Sequence, residues 1–142
     1  MDIRAAADQT ASSPHRSLVP PGYFFPNLRA TNHFADFHVP CGTRRATGSP
    51  SNVFFVESFI EELADAAGKD SYEYRRELIS RNDFLFKDDW LQALDLVAEM
   101  SEWGTPLPEG WARGIAIDDR RYDREKPDVC TIAAMVCTVS VS

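Results

Sequence analysis

The sequence has few cysteines and no long apolar run. Its three cysteines, Cys41, Cys130 and Cys137, are an odd number without close CxxC spacing, which favours a reducing compartment over a disulfide framework. No segment is long and apolar enough to cross a bilayer, and the start of the chain has no apolar leader stretch. These absences predict a cytoplasmic protein with no membrane association.

Basic residues are also scarce. Lysine and arginine number 15 against 22 acidic residues, a formal net charge of −7. A general nucleic-acid binder or a protein that binds anionic membranes needs a basic field, so the composition argues against both classes. The chain of 142 residues is 44% hydrophobic and 11% aromatic, which is enough for one domain with a buried core.

The chain divides into a lead-in and a folded segment. Residues 1–22 are rich in Ala, Ser, Asp and Pro without an apolar period and are predicted to be a flexible lead-in. Residues 23–142 should form the folded part. Near its start, loosely alternating apolar residues predict one or two short strands, with Pro26 and Pro40 confining them to edges or ends; these residues are Leu28, Ala30, Phe34 and Phe37.

Three helices are predicted from apolar periodicity and end signals, at Pro50–Ala67, Ser71–Ser80 and Asp88–Glu102. Ser49 is placed to cap the first, Gly68 to end it in a left-handed conformation, and Asp70 to cap the second with Glu73 three residues on. Their core faces are expected at three- and four-residue spacing. The expected core residues are Val56, Phe59, Ile60, Leu63 and Ala67; then Tyr74, Leu78 and Ile79; then Trp90, Leu91, Leu94, Val97, Ala98 and Ser101.

The remaining chain predicts β structure. Gly114–Ile117 should be a short strand, Asp118–Asp128 a solvated loop, and Val129–Ser142 a strand with apolar residues on both faces. That last strand either pairs back onto Gly114–Ile117 under the helices, pairs with another chain, or belongs to a larger protein. The expected fold class is α+β, with about three helices packed on a small mixed sheet built from the N-terminal and C-terminal strands.

The loop before the first helix is the candidate binding site. It bears Gly42, Arg44, Arg45 and Gly48 and runs into a helix start, whose unpaired N–H groups and dipole favour anions. The alternative is that both arginines pair with surface carboxylates. His33, His38 and Cys41 lack a fourth ligand at the usual spacing, which disfavours a zinc site. Cys41 has no Asp–His arrangement to activate it, so a buried or idle thiol is favoured over a nucleophile.

Many short motifs occur in the order found in one enzyme family. The sequence resembles the molybdopterin-binding large subunit of the xanthine oxidase and aldehyde oxidoreductase family, nearest the isoquinoline 1-oxidoreductase branch, from about Gly22 to Ser142. The matching text is Phe25-Pro-Asn-Leu-Arg29, His38-Val-Pro-Cys-Gly42, Arg45 with Gly48 and Asn52, Val56-Glu-Ser-Phe-Ile-Glu-Glu-Leu-Ala64, Ala67-Gly-Lys-Asp70, Glu73-Tyr-Arg75, Lys87-Asp-Asp-Trp90, Trp103-Gly-Thr-Pro-Leu-Pro108 and Arg113-Gly-Ile-Ala-Ile117.

The resemblance implies a partial domain of a larger molybdopterin-binding subunit. That enzyme class oxidises aldehydes or N-heterocycles with oxygen from water at a molybdenum–pyranopterin, here molybdopterin cytosine dinucleotide, and passes electrons to iron–sulfur clusters on a partner. The implied cofactor-binding residues are Gly42, Arg45, Ala46, Thr47 and Gly48. Arginine offers fixed donors to oxyanions, and glycine permits close backbone approach.

The chain departs from the family in ways that bear on activity. Arg44 stands where that branch usually has an aromatic residue, and Thr47 stands where xanthine oxidases have a substrate-facing phenylalanine, which leaves the substrate open. The catalytic glutamate and the other cofactor loops of the family are not found in this sequence. The helical spacing of Glu57, Glu61, Glu62 and Glu73 assigns them to a solvated or pairing face. We therefore expect this chain to need the remainder of its subunit, and an iron–sulfur subunit, for turnover.

Two other functions remain open from the sequence. One is a non-catalytic interaction module that pairs through its C-terminal strand with another chain. The other is a small anion-binding protein that uses Arg45 and the start of the first helix.

Overall fold

The structure is a computed structural model that describes residues 22–27, 49–120 and 129–140. Three helices are followed by two strands: α1 (Ser49–Ala66), α2 (Ser71–Arg81), α3 (Lys87–Met100), β1 (Trp111–Arg120) and β2 (Thr131–Ser140). The strands form an antiparallel pair, and the helices pack on one of its faces. The expected small α+β fold is confirmed. The residues predicted to form N-terminal strands, Leu28 to Phe37, lie outside the described residues.

The turn between α1 and α2 is built as its residue types predict. Gly68 has φ of +62°, and its amide donates to the Asp65 carbonyl at 2.9 Å, while the Lys69 amide donates to the Ala64 carbonyl at 2.9 Å. These two bonds are the Schellman pattern that closes a helix on a left-handed residue. Asp70 then caps α2 by accepting from the amides of Tyr72 and Glu73, both at 3.0 Å.

The predicted helix bounds agree with the structure to within two residues at every end. The predicted core stripe of α3 is confirmed, with Trp90, Leu94 and Ala98 buried and Leu91 and Val97 partly buried. The indole of Trp103, in the loop after α3, donates to both carboxylate oxygens of Asp70, at 3.0 and 3.2 Å. One side chain therefore both starts α2 and holds the loop that follows α3.

The prediction for β1 was too short. The strand extends from Trp111 to Arg120, because Asp118 and Asp119 continue the ladder opposite Ala133 and Ile132 of β2. The loop expected from Asp118 therefore cannot begin before residue 121. The polar side chains of Asp118 and Asp119 suggested a solvent-exposed loop. The register of the hairpin instead keeps both residues in the strand.

Of the three alternatives left open for the last strand, the structure shows the first: β2 pairs back onto β1 under the helices. Ile115 opposes Val136 and Ile117 opposes Ala134 on the face that meets the helices. On the other face Ala116 opposes Met135, which is 68% exposed. Among the described residues, the strand that is apolar on both faces is thus covered on one face only.

The core is organised around Trp90 of α3, which makes edge-to-face contacts with Tyr23 and Phe84 at centroid distances of 6.0 and 5.8 Å. Gly22 lies close to the same indole, since a Cβ at Gly22 would come within 2.3 Å of the ring. Gly22 and Tyr23 are therefore part of the core, whereas Pro26 and Asn27 are exposed. Of the helices in the described ranges, none combines the length and apolar character needed to span a membrane.

The left-handed conformation of Gly68 predicts a selective effect of alanine. Gly68→Ala places a Cβ where no atom lies within 4 Å, so the cost is that of the backbone alone, about 1–2 kcal/mol of unfolding free energy. Gly114→Ala is the matched control, because its surroundings are equally open and its φ is not positive. Urea unfolding measures both variants, and equal midpoints would contradict the left-handed turn.

Candidate functional site

The residues predicted to contact a cofactor lie outside the described part of the chain. These are Gly42, Arg45, Ala46, Thr47 and Gly48. The other candidate residues, His33, His38, Cys41 and Arg44, also lie outside the described part. The described chain resumes at Ser49, one residue after Gly48, and Ser49 is already the first residue of α1. The predicted start of the first helix, at Pro50, therefore agrees with the structure to within one residue.

The first turns of α1 expose an aromatic surface, which consists of Phe54, Phe55 and Phe59. These side chains are 66%, 62% and 56% exposed, and the rings of Phe54 and Phe55 touch edge to face at 5.8 Å. The placement of Phe59 on the core face was therefore wrong, and Ala67 is also exposed. Glu57 and Ala64 take the buried positions instead, together with Ile60.

The reason for this rotation of α1 is a buried ion pair between Glu57 and Arg75 of α2. The Arg75 Nε donates to Glu57 Oε2 at 3.2 Å, and Arg75 Nη2 donates to the Glu57 backbone carbonyl at 3.0 Å. The two side chains are 8% and 1% exposed. Burial of an ion pair is stable only when the remaining donors and acceptors are also satisfied, and the surrounding groups provide this.

Glu57 accepts hydrogen bonds from two further parts of the chain. The Tyr23 hydroxyl donates to Oε1 at 2.9 Å, and the Ile117 amide of β1 donates to Oε2 at 3.2 Å. Residues 22–27, α1, α2 and β1 therefore meet at one carboxylate. The assignment of Glu57 to a pairing face was correct, but it was not expected to be buried.

The remaining donor of Arg75 closes the cluster toward solvent. Its Nη1 donates to Glu61 Oε2 at 2.9 Å, to the Ser71 carbonyl at 3.2 Å and to the Ser71 hydroxyl. The Ser71 hydroxyl also donates to Glu61. Glu61 is partly exposed, so it marks the boundary of the cluster.

Burial affects the ionisation of each member. Loss of water raises the pKa of Glu57 above its ordinary value, against the effect of Arg75 and the other donors. Burial and the adjacent Glu57 raise the pKa of the Tyr23 hydroxyl, which stays a donor. For Arg75, burial opposes the charged form, but Tyr23 and Glu57 outweigh it and the pKa of the guanidinium is raised. The surroundings therefore favour the charge on Arg75, whereas burial opposes the charge on Glu57 more strongly than Arg75 supports it.

The cluster is structural. Each guanidinium nitrogen of Arg75 donates at least one hydrogen bond, and the Glu57 carboxylate accepts from Tyr23, Arg75 and Ile117. Neither group is directed into an open cleft. Sequence reasoning did not single out Arg75. Glu57 and Arg75 each belong to one of the motifs quoted above, but they are 18 residues apart in the sequence. Nothing in the sequence indicates that they touch.

Within the described ranges, no group of three or more His, Cys, Asp or Glu side chains is placed to hold a metal ion. Comparison of the chain with protein-family models, with curated proteins and with solved structures finds no match.

The burial of the pair predicts very different costs for two neighbouring arginines. Arg75→Met leaves Glu57 buried without its counter-ion and should cost about 3–5 kcal/mol of unfolding free energy. Arg76→Met, one residue on, removes only a half-exposed pair with Asp95 and should cost about 1 kcal/mol or less. Chemical denaturation compares the two.

A double variant separates the ion pair from simple packing loss. Glu57→Leu combined with Arg75→Met removes both charges, so its cost should be smaller than the sum of the two single costs. Equal losses for Arg75→Met and Arg76→Met, or strict additivity in the double variant, would contradict the buried pair.

Proposed function

We propose that this chain is part of the molybdopterin-binding subunit of a molybdenum hydroxylase. In this proposal it contributes one cofactor-facing loop, Gly42 to Gly48, and is inactive alone. The remainder of the subunit and an iron–sulfur subunit are its partners, and its location is cytoplasmic.

The order of sequence motifs supports the proposal, since it extends from Phe25 to Ile117 with no rearrangement. Several of the matched residues in the described part also make contacts that stabilise the fold. Glu57 and Arg75 form the buried pair, and Asp70 and Trp103 join α2 to the loop after α3. If the motif matches were accidental, the matched residues would not be expected to make the contacts that stabilise the fold.

The observation that carries the proposal is the aromatic surface of α1. Phe54, Phe55 and Phe59 are exposed within eleven residues of Ser49, immediately after the proposed cofactor loop. A contiguous exposed apolar patch marks an interface. In the proposal, the rest of the subunit packs on this surface and closes the cofactor pocket.

The helix start itself suits an anionic group. The first turn of α1 has no acidic residue, so the positive end of its dipole is not neutralised by a carboxylate there. Arg45 would donate to pterin or phosphate oxygens, and Gly42 and Gly48 would let the backbone approach, with Ala46 and Thr47 between them. When bound, the cofactor would supply the two-electron oxidation with oxygen from water.

The test compares the chain in its native complex with the chain made alone. The tagged chain purified from its own cells should bring molybdenum and iron with it, whereas the chain produced alone should hold neither and should not oxidise aldehydes. Metal content is measured by mass spectrometry. Arg45→Ala removes charge-assisted hydrogen bonds and should weaken cofactor binding about tenfold or more, and so lower the molybdenum content of the complex.

Arg44→Ala is the matched control, because it removes the same charge one residue earlier and should leave the molybdenum content unchanged. A native complex without molybdenum would refute the proposal. Equal losses in the two arginine variants would refute the role of Arg45. One molybdenum per chain together with aldehyde oxidation by the isolated chain would refute the statement that it is inactive alone.

A further inference from the structure

A groove of about 500 Å³ lies between α3 and the beginning of β2. One wall comes from α3 and the residue before it, and the other from β2 and the two residues before it. The groove residues are Phe86, Asp89, Gln92, Ala93, Leu96, Val129, Cys130 and Ile132. None of the described residues of β1 lines it, so it opens along the side of β2 that faces away from β1.

The groove follows from a mismatch in width between the two layers. The helices lie side by side with α2 in the middle; α1 and α2 pack on β1, and α3 packs on β2. Packed helices are about 8–10 Å apart, whereas paired strands are about 4.8 Å apart. Three helices are therefore wider than two strands, and α3 lies at the β2 end of the helix layer.

The outer edge of β2 lacks the features that normally protect an edge strand. Its ten residues, TIAAMVCTVS, include no charge, proline or glycine, and its pairing with β1 is continuous. Natural edge strands usually carry charges, prolines or bulges that prevent further pairing. β1 does carry charges, at Arg113, Asp118, Asp119 and Arg120. In the described ranges no third strand pairs with β2.

We propose that the outer edge of β2 and the groove under α3 together form a docking surface for an extended strand of a separate polypeptide. Such a strand adds to the sheet through main-chain hydrogen bonds, and its alternate side chains enter the groove. From Phe86 to Leu96 the groove follows α3 for ten residues, about 15 Å. That length accommodates about four or five residues of a strand.

The groove also indicates the chemistry of the strand. Ala93, Leu96 and Val129 provide apolar walls, and Leu96 is 54% exposed. Asp89 makes no hydrogen bond or ion pair with another described residue. α3 contains four acidic residues and one lysine, Lys87. The partner strand is therefore apolar at every second position and basic where it passes Asp89. This inference does not depend on the proposed function.

A second copy of this chain is a poorer occupant. Its β2 offers no basic residue to Asp89, and its own α3, which packs on the same strand, would approach the first α3. Two chains of net charge −7 also repel each other. The surface suits a foreign basic strand better.

The test uses a fluorescein-labelled ten-residue synthetic peptide in which valine alternates with lysine and threonine. Its anisotropy is titrated with the full chain, and a scrambled peptide of the same composition is the control. The alternating peptide should bind saturably and the scrambled one should not. Hydrogen exchange should show slowing at alternate amides of β2 and none at the outer edge of β1.

Two pairs of variants locate the site. Leu96→Lys should weaken binding at least about tenfold, because it removes a buried leucine contact and adds a like charge; Leu85→Lys, at an exposed leucine outside the groove, should not. Asp89→Asn should weaken binding about threefold. Asp88→Asn is its matched control, since both aspartates lie in the first turn of α3 but only Asp89 lines the groove.

Several outcomes would overturn the proposal. They are the absence of saturable binding, and losses in the control variants equal to those in the groove variants. Slow exchange at the outer amides of β2 before peptide is added would show that the chain covers its own edge. Slowing that increases with protein concentration in the absence of peptide would show that a second copy is the occupant.

Discussion

The contact between Glu57 and Arg75 constrains the rest of the structure. Removing two charges from water costs several kcal/mol each, and only close pairing with complete hydrogen bonding offsets that cost. The packing must therefore bring every partner into place at once. Tyr23 anchors the segment before the helices, and the Ile117 amide anchors β1. The Glu57 carboxylate thus joins α1, α2, β1 and the segment 22–27. A shift of any one of them would expose a charge or leave it without its partner.

The pair also decides which side of α1 is buried. At 3.6 residues per turn, a face centred on Val56, Phe59 and Leu63 would leave Glu57 outside it. With Glu57 drawn inward by Arg75, the helix is turned so that Ile60 and Ala64 enter the core and Phe59 leaves it. The aromatic surface of α1 is thus a consequence of the ion pair. Hydrophobicity alone would have buried Phe59 first.

Local sequence signals predicted local structure well. Gly68 and Asp70 act within a few residues of their partners, and the apolar stripe of α3 is read from spacing alone, so both could be predicted. The ion pair and the full length of β1 could not be predicted, because each depends on residues distant in the chain. Arg75 is 18 residues from Glu57, and Asp119 belongs to β1 because it pairs with Ile132 of β2. Gly42 to Gly48 were selected by resemblance, and their arrangement lies outside the described residues.

The two surfaces that the described residues leave uncovered differ in chemistry. The aromatic surface of α1 follows a segment with two arginines in the sequence, whereas the edge of β2 is uncharged and lies below an acidic helix. A two-stranded sheet is at the lower limit of independent stability, and a helix layer wider than the sheet leaves apolar groups without cover. The net negative charge disfavours self-association. Because one surface follows a segment with two arginines and the other lies beside acidic side chains, a segment that covers one of them would not suit the other.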